Sequence, residues 1–196
     1  MRNLWTESHR PDTTDGYVFQ NDMQRAQVNK WIAERNIPHL LFSGGPGTGK
    51  TTALYMCNSV WGHPEKLCAK KDDTFNSKVF KLGDFCNLPV CFDEMTNTKA
   101  EQLSELAYLI TQGTGKDRMK SSSNELRINH TKWQGITLTS SNASFYEKLG
   151  VAKSSPDGES MRLLEYRIEP NNIIPMDVGK QMFDHQLREN YGHAMD

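Results

Sequence analysis

Two periodicities take turns along this chain. Short apolar runs at His39-Leu40-Leu41-Phe42, Leu88-Pro89-Val90-Cys91-Phe92, Ile136-Thr137-Leu138-Thr139 and residues 163–168 read as buried strands. Between them apolar residues fall at helical spacing. Leu103, Leu106, Ala107 and Ile110 repeat at i, i+3, i+4 and i+7 and predict a helix with one face on a sheet. Thr98 and Glu101 supply a capping box ahead of it. An earlier helix is expected from Asn21 to near Asn36, with Asn21 and Gln24 at its start and an apolar face of Val28, Trp31 and Ile32. Residues 51–60 predict another, halted by Gly62 and Pro64. The stretch 67–87 is less regular; one short strand near Leu67 and a helix around 78–85 are expected. Strands alternating with helices predict a three-layer α/β domain with a mainly parallel sheet.

Composition narrows this little. The chain has 196 residues, 36% hydrophobic and 24% charged, which suits one soluble α/β domain. No apolar run approaches the roughly 20 residues of a spanning helix, and the polar start lacks a signal-peptide core, so a cytoplasmic location without membrane contact is expected. Residues 1–20 read as an irregular lead-in, 21–176 as the core, and 177–196 as one helix near 178–191. The formal charge of −1 confines any nucleic-acid contact to a local patch. Cys57, Cys68, Cys86 and Cys91 form no C-x-x-C pair and read as buried free thiols.

Candidate chemistry centres on Gly44-Gly45-Pro46-Gly47-Thr48-Gly49-Lys50-Thr51, which fits G-x-x-x-x-G-K-[ST] without mismatch. Glycines allow successive N–H groups to turn inward on phosphate, and the following helix, through Thr52, presents its positive dipole end to the same anion. Lys50 is expected on the β- and γ-phosphates of ATP, and the Thr51 hydroxyl on Mg²⁺. The apolar run ending in Asp93-Glu94 supplies the partner. Asp93 is expected to hold the Mg²⁺ through water and Glu94 to polarise the attacking water. Asn142, closing the third strand, stands where an amide could hold that water or a phosphate oxygen; the alternative is a residue that merely turns the chain.

This order of P-loop, apolar-Asp-Glu strand and Asn-tipped strand resembles the AAA+ ATPases over about residues 1–170. The first fifty residues, with Leu4-Trp5-Thr6-Glu7-Ser8-His9-Arg10-Pro11 and Pro38-His39-Leu40-Leu41-Phe42-Ser43-Gly44, look like phage and replication-factor-C-type clamp loaders. That resemblance lays His9, Arg10 and Pro11 over the adenine. From Ala53 onward the chain is more similar to the ATPase domain of phage and plasmid primase-helicases, on Asn58-Ser59-Val60-Trp61-Gly62, the strand ending in Asp93-Glu94, and Gly113-Thr114-Gly115-Lys116-Asp117-Arg118. The resemblance implies a hydrolytic ATPase of phage-type DNA replication, working as a ring on DNA or a DNA-bound clamp. A helical lid usually follows such a core; here it is expected to be absent or reduced to one helix, with Arg188 a weak stand-in for the lid's sensor arginine.

Rings of this kind complete a neighbour's site with an arginine. Arg162, in Ser160-Met161-Arg162, and Arg118 are rival candidates, each with a plain surface role as the alternative. Lys116, Arg118, Lys120, Arg127 and Lys132 stand against only Asp117 and Glu125 in a loop-like stretch that could follow a DNA backbone or simply be solvated. Trp133 could add stacking or belong to the core. Two other functions remain open: a subunit that binds ATP without hydrolysing it, which Glu94 argues against, and a P-loop kinase, for which no arginine-rich lid is evident.

Overall fold

A computed structural model describes residues 22–119, 126–127, 131–152, 156–169, 175–189 and 191–192. Contacts divide the chain into a unit ending at Ile37 and one running from Pro38 to Asp196. In the first, α1 (Asp22–Glu34) carries Asp22 in its first turn, where negative charge suits the helix dipole. It ends two residues before the expected Asn36, because Arg35 turns left-handed at φ 48°. Arg35 N–H and Asn36 N–H then close on the Ile32 and Trp31 carbonyls at 3.2 and 3.1 Å. Val28 and Trp31 are half-buried, but Ile32 is 58% exposed; it lies about 100° further round the helix and falls off the covered stripe. The expected cap at Asn21 lies outside the described residues.

The second unit begins with β1 (His39–Ser43), α2 (Lys50–Ser59), α3 (Pro64–Leu67), β2 (Cys68–Ala69), α4 (Phe75–Phe85), β3 (Val90–Phe92) and α5 (Ala100–Gln112). It continues through β4 (Arg118–Met119), β5 (Leu126–Arg127), β6 (Thr137–Ser141), α6 (Phe145–Ala152), α7 (Asp157–Ser160) and β7 (Leu163–Arg167). Two helices, α8 (Met176–Gln181) and α9 (Leu187–Glu189), are joined by a π turn at Met182–Gln186. Five strands form one sheet in the order β2-β3-β6-β1-β7, and every pairing is parallel. The three-layer α/β architecture expected from the sequence is therefore observed.

Side-chain alternation along the strands builds two cores. Leu41, Ala69, Val90 and Phe92 face one side and pack with Leu82 of α4, the Leu103–Ile110 stripe of α5, and Phe145 and Leu149 of α6. Cys68, Cys91 and Leu138 face the other side, under Leu54 of α2. Strands covered on both faces explain why the apolar runs were unbroken rather than alternating.

Local differences from the expected elements have identifiable causes. Helix α4 starts three residues early because the Thr74 hydroxyl accepts the Ser77 N–H at 3.2 Å and caps it. Strand β3 loses its first two residues, since Pro89 has no N–H to enter a ladder. The capping box at Thr98 and Glu101 does not form: the cap position is Lys99, without a side-chain bond, and the Thr98 hydroxyl turns to the Met95 sulfur at 3.8 Å. The basic stretch is not simply loop, because β4 and β5 pair antiparallel, with a further bridge between Thr114 and Lys132. Trp133 is core, 3% exposed, with its indole N–H on the Ile110 carbonyl at 3.0 Å. All four cysteines are free, but Cys86 is exposed and Cys57 half-buried. Burial pushes the Cys68 thiol up to about 11.

Two fastenings lock α6 and β1 into the sheet. Glu165 of β7 accepts from Ser144 Oγ and from the Phe145 and Tyr146 N–H groups at 3.0, 2.9 and 3.1 Å, capping α6 from outside its own sequence. Glu165→Ala is expected to cost about 1–2 kcal/mol in urea unfolding, with Glu165→Gln recovering part. His39 Nδ1 accepts the Thr137 N–H at 3.1 Å, and burial lowers its pKa. A neutral imidazole is thus favoured in the folded state, while the unfolded chain takes up the proton first. Stability is expected to fall as pH drops from about 7 through the ordinary imidazole value, and to fall less steeply in His39→Gln.

Candidate nucleotide site

The loop between β1 and α2 forms the floor of the site. Gly44 has φ 152°, and a Cβ there would lie 2.3 Å from the Ile168 carbonyl oxygen at the end of β7, so no larger residue fits. Gly49, at φ 84°, makes the left-handed turn that starts α2. The Lys50 side chain is 6% exposed and folds back over the loop. Its ammonium donates to the Gly44 and Gly45 carbonyls at 2.8 Å each and to Thr48 Oγ1 at 3.2 Å. The cation is thus held where an entering phosphate would meet it, at the N-terminus of a 10-residue helix.

Beyond β6, which lies between β1 and β3, the end of β3 delivers two carboxylates. Thr51 Oγ1 lies 3.1 Å from both Asp93 oxygens, although the residues are 42 apart in sequence. Such a hydroxyl–carboxylate pair suits a hard cation that keeps several waters, as Mg²⁺ does. Ser140 Oγ donates to Asp93 Oδ1 at 2.5 Å and accepts the Glu94 N–H at 2.9 Å. Glu94 itself sits in the left-handed region at φ 58°, ψ 60°. Asn142 donates from Nδ2 to Glu94 Oε1 at 3.2 Å and from its backbone N–H to Thr96 Oγ1 at 2.8 Å. A cleft of about 390 Å³ opens between these parts, lined by residues 46–52, Glu94 and Asn142.

The expected residues of the loop, Asp93, Glu94 and Asn142 therefore converge. Others do not. His9, Arg10, Pro11 and Lys120 lie outside the described residues. Arg162 folds onto its own chain, with its guanidinium 4.3 Å from the Tyr108 ring centre and Nη1 on the Gly158 carbonyl. Arg118 and Arg127 occupy paired positions in the β4–β5 hairpin, Lys116 is ion-paired to Glu105, and Lys132 is exposed. Sequence reasoning missed Ser140, Thr96 and Lys148, which act on the site only through the fold. Ser140 left a faint trace as a hydroxyl in the run after the third apolar strand.

Comparison with known proteins follows the same lines. A family model described as a domain of unknown function, DUF927, matches residues 33–130. The replication factor C small subunit of Staphylothermus marinus is 34% identical over 130 residues, 59% of this chain and 39% of that protein. That of Saccharolobus solfataricus is 47% identical over 60 residues, 30% of this chain and 18% of that protein. Replication factor C subunit 5 of Homo sapiens is 36% identical over 84 residues, 42% of this chain and 22% of that protein. The chain thus spans less than two fifths of the length of these curated relatives. The solved structure of the SCCmec type IV Cch active helicase has the same fold, with a TM-score of 0.59 at 23% identity over 85% of this chain and 30% of that one. With half its length matched by the family model, the chain belongs to the DUF927 family; it has the fold of a P-loop NTPase and is homologous to the AAA+ small subunits of replication factor C.

Proposed function

We propose that this chain binds Mg-ATP and hydrolyses it as the motor core of a DNA-replication ATPase. The observation that carries this reading is the convergence of Lys50, Thr51, Asp93, Glu94 and Asn142 around one cleft, from three separate strand ends. The triphosphate enters along the loop amides, and Lys50 exchanges the Gly44 and Gly45 carbonyls for phosphate oxygens. Held by Thr51 and Asp93, Mg²⁺ would neutralise charge on the phosphates. Glu94 takes a proton from a water whose oxygen attacks the γ-phosphorus. The bond to the bridging oxygen breaks, and ADP and phosphate result. Asn142 holds Glu94 Oε1 and orients that water.

In this reading the chain works in an oligomeric ring in the cytoplasm; no helix among the described residues is long and apolar enough to cross a membrane. Arg162 would have to leave the Tyr108 ring to act as a finger in a neighbour's site, whereas Arg118 lies on a hairpin. The basic stretch of Lys116, Arg118, Lys120, Arg127 and Lys132, part of which pairs as β4 and β5, supports contact with a DNA backbone.

ATP turnover, measured with and without single-stranded and primer-template DNA, tests the reading. Lys50→Ala is expected to abolish nucleotide binding. Glu94→Gln is expected to keep binding while lowering turnover roughly a hundredfold or more. Wild-type turnover no higher than that of Lys50→Ala would leave a nucleotide-binding subunit without hydrolysis. Stimulation by primer-template alone points to clamp loading, and by single strands alone to a helicase. Arg127→Ala together with Lys132→Ala is expected to weaken DNA binding and flatten its salt dependence, with ATP binding unchanged.

A further inference from the structure

We infer that Lys148 is a positioning residue for hydrolysis: its ammonium staples the turn after Glu94 to helix α6, and so aims the Glu94 carboxylate into the cleft. The inference rests on the reading of Glu94 as the base that activates water.

Glu94 leaves β3 in a left-handed conformation, which is strained for a residue with a side chain. The 3-10 turn that follows, Met95–Asn97, has no side-chain cap of its own. What holds this conformation comes from the β6–α6 segment. Ser140 Oγ takes the Glu94 N–H, and Asn142 binds Thr96 Oγ1 and Glu94 Oε1. Those contacts secure the near side of the turn. Lys148 secures the far side, donating from Nζ to the Thr96 carbonyl and lying 3.5 Å from that of Thr98.

Its anchor is rigid. The start of α6 is capped by Glu165, and Tyr146 Oη donates to the Leu163 carbonyl at 2.6 Å, so the helix is tied to β7, the neighbour of the P-loop strand β1. The staple therefore links the phosphate-binding side of the sheet to the direction of the hydrolytic carboxylate. Beside this contact, the Thr98 hydroxyl turns to the Met95 sulfur instead of capping α5. Burial disfavours the Lys148 charge, and the Glu94 carboxylate is the group that favours it, which places the two in electrostatic reach.

The test compares wild type, Lys148→Met, Lys148→Arg and Glu94→Gln in ATP turnover, nucleotide affinity, thermal unfolding and amide hydrogen exchange over residues 94–98. Lys148→Met is expected to lower kcat roughly tenfold or more, leave ATP affinity within about twofold, and speed exchange in that turn. Lys148→Arg, which keeps a donor cation, restores most of both. Wild-type kcat and exchange in Lys148→Met overturn the inference. So does a loss of kcat that comes with an equal loss of ATP affinity and melting temperature, because that marks general destabilisation. If wild type turns over no ATP, or if Glu94→Gln matches it, the hydrolysis reading falls, and with it the catalytic part of this inference. Exchange at 94–98 then decides separately whether Lys148 holds the turn.

Discussion

Much of this site hangs on what the Asp93 carboxylate accepts. Thr51 reaches it from the first turn of α2 and Ser140 from the end of β6, so one acceptor ties together segments 42 and 47 residues away. A carboxylate can accept several hydrogen bonds and, ionised, donates none, which makes it a natural collector of hydroxyls. Ser140 passes the order onward, because the hydroxyl that donates to Asp93 also accepts the Glu94 N–H. The residue that would hold the metal and the residue that would activate water are thereby fixed relative to each other through a third side chain. Substituting Asp93 would remove the acceptor that holds Thr51 and Ser140, and with it the reference point for Glu94.

The fold makes this arrangement possible by running all five strands of the main sheet the same way. Their C-terminal ends share one edge, and the loops leaving β1, β3 and β6 meet there. Burial on both faces keeps the strand ends from shifting: Leu41, Phe92 and Val90 press on one layer of helices, and Cys91 and Leu138 on the other. Asp93 and Glu94 are polar and half-buried, so their placement is inherited from the buried Cys91 and Phe92 just upstream.

What the sequence made legible follows from this division. The phosphate loop could be read directly because its chemistry is contiguous: Gly44, Gly49, Lys50 and Thr51 are each required by a backbone or charge constraint within a few residues of one another. Asp93 and Glu94 were readable because an apolar run points at them. Ser140, Thr96 and Lys148 were not, since a serine in a strand, a threonine in a turn and a lysine within a helix look ordinary until the chain is folded. The capping box at Thr98 fails for a local reason, because the turn from Met95 takes its N–H and hydroxyl and α5 starts one residue later. Arg162 carried a sequence position suggestive of a finger but no indication that Tyr108 would lie beside it.

The insertion of β6 between β1 and β3 has a consequence that is geometric rather than chemical. Neighbouring strands sit about 4.8 Å apart, a spacing dictated by backbone hydrogen bonds and indifferent to side chains. The phosphate loop and the Asp93–Glu94 pair are therefore mounted on a ruler two strands wide, with Asn142 standing on the middle mark. Substitutions at the site can change its side-chain chemistry, while the gap into which a terminal phosphate and a water would have to fit stays set by the backbone. Evolution, or an engineer, can thus retool the chemistry of this cleft without recalibrating its width.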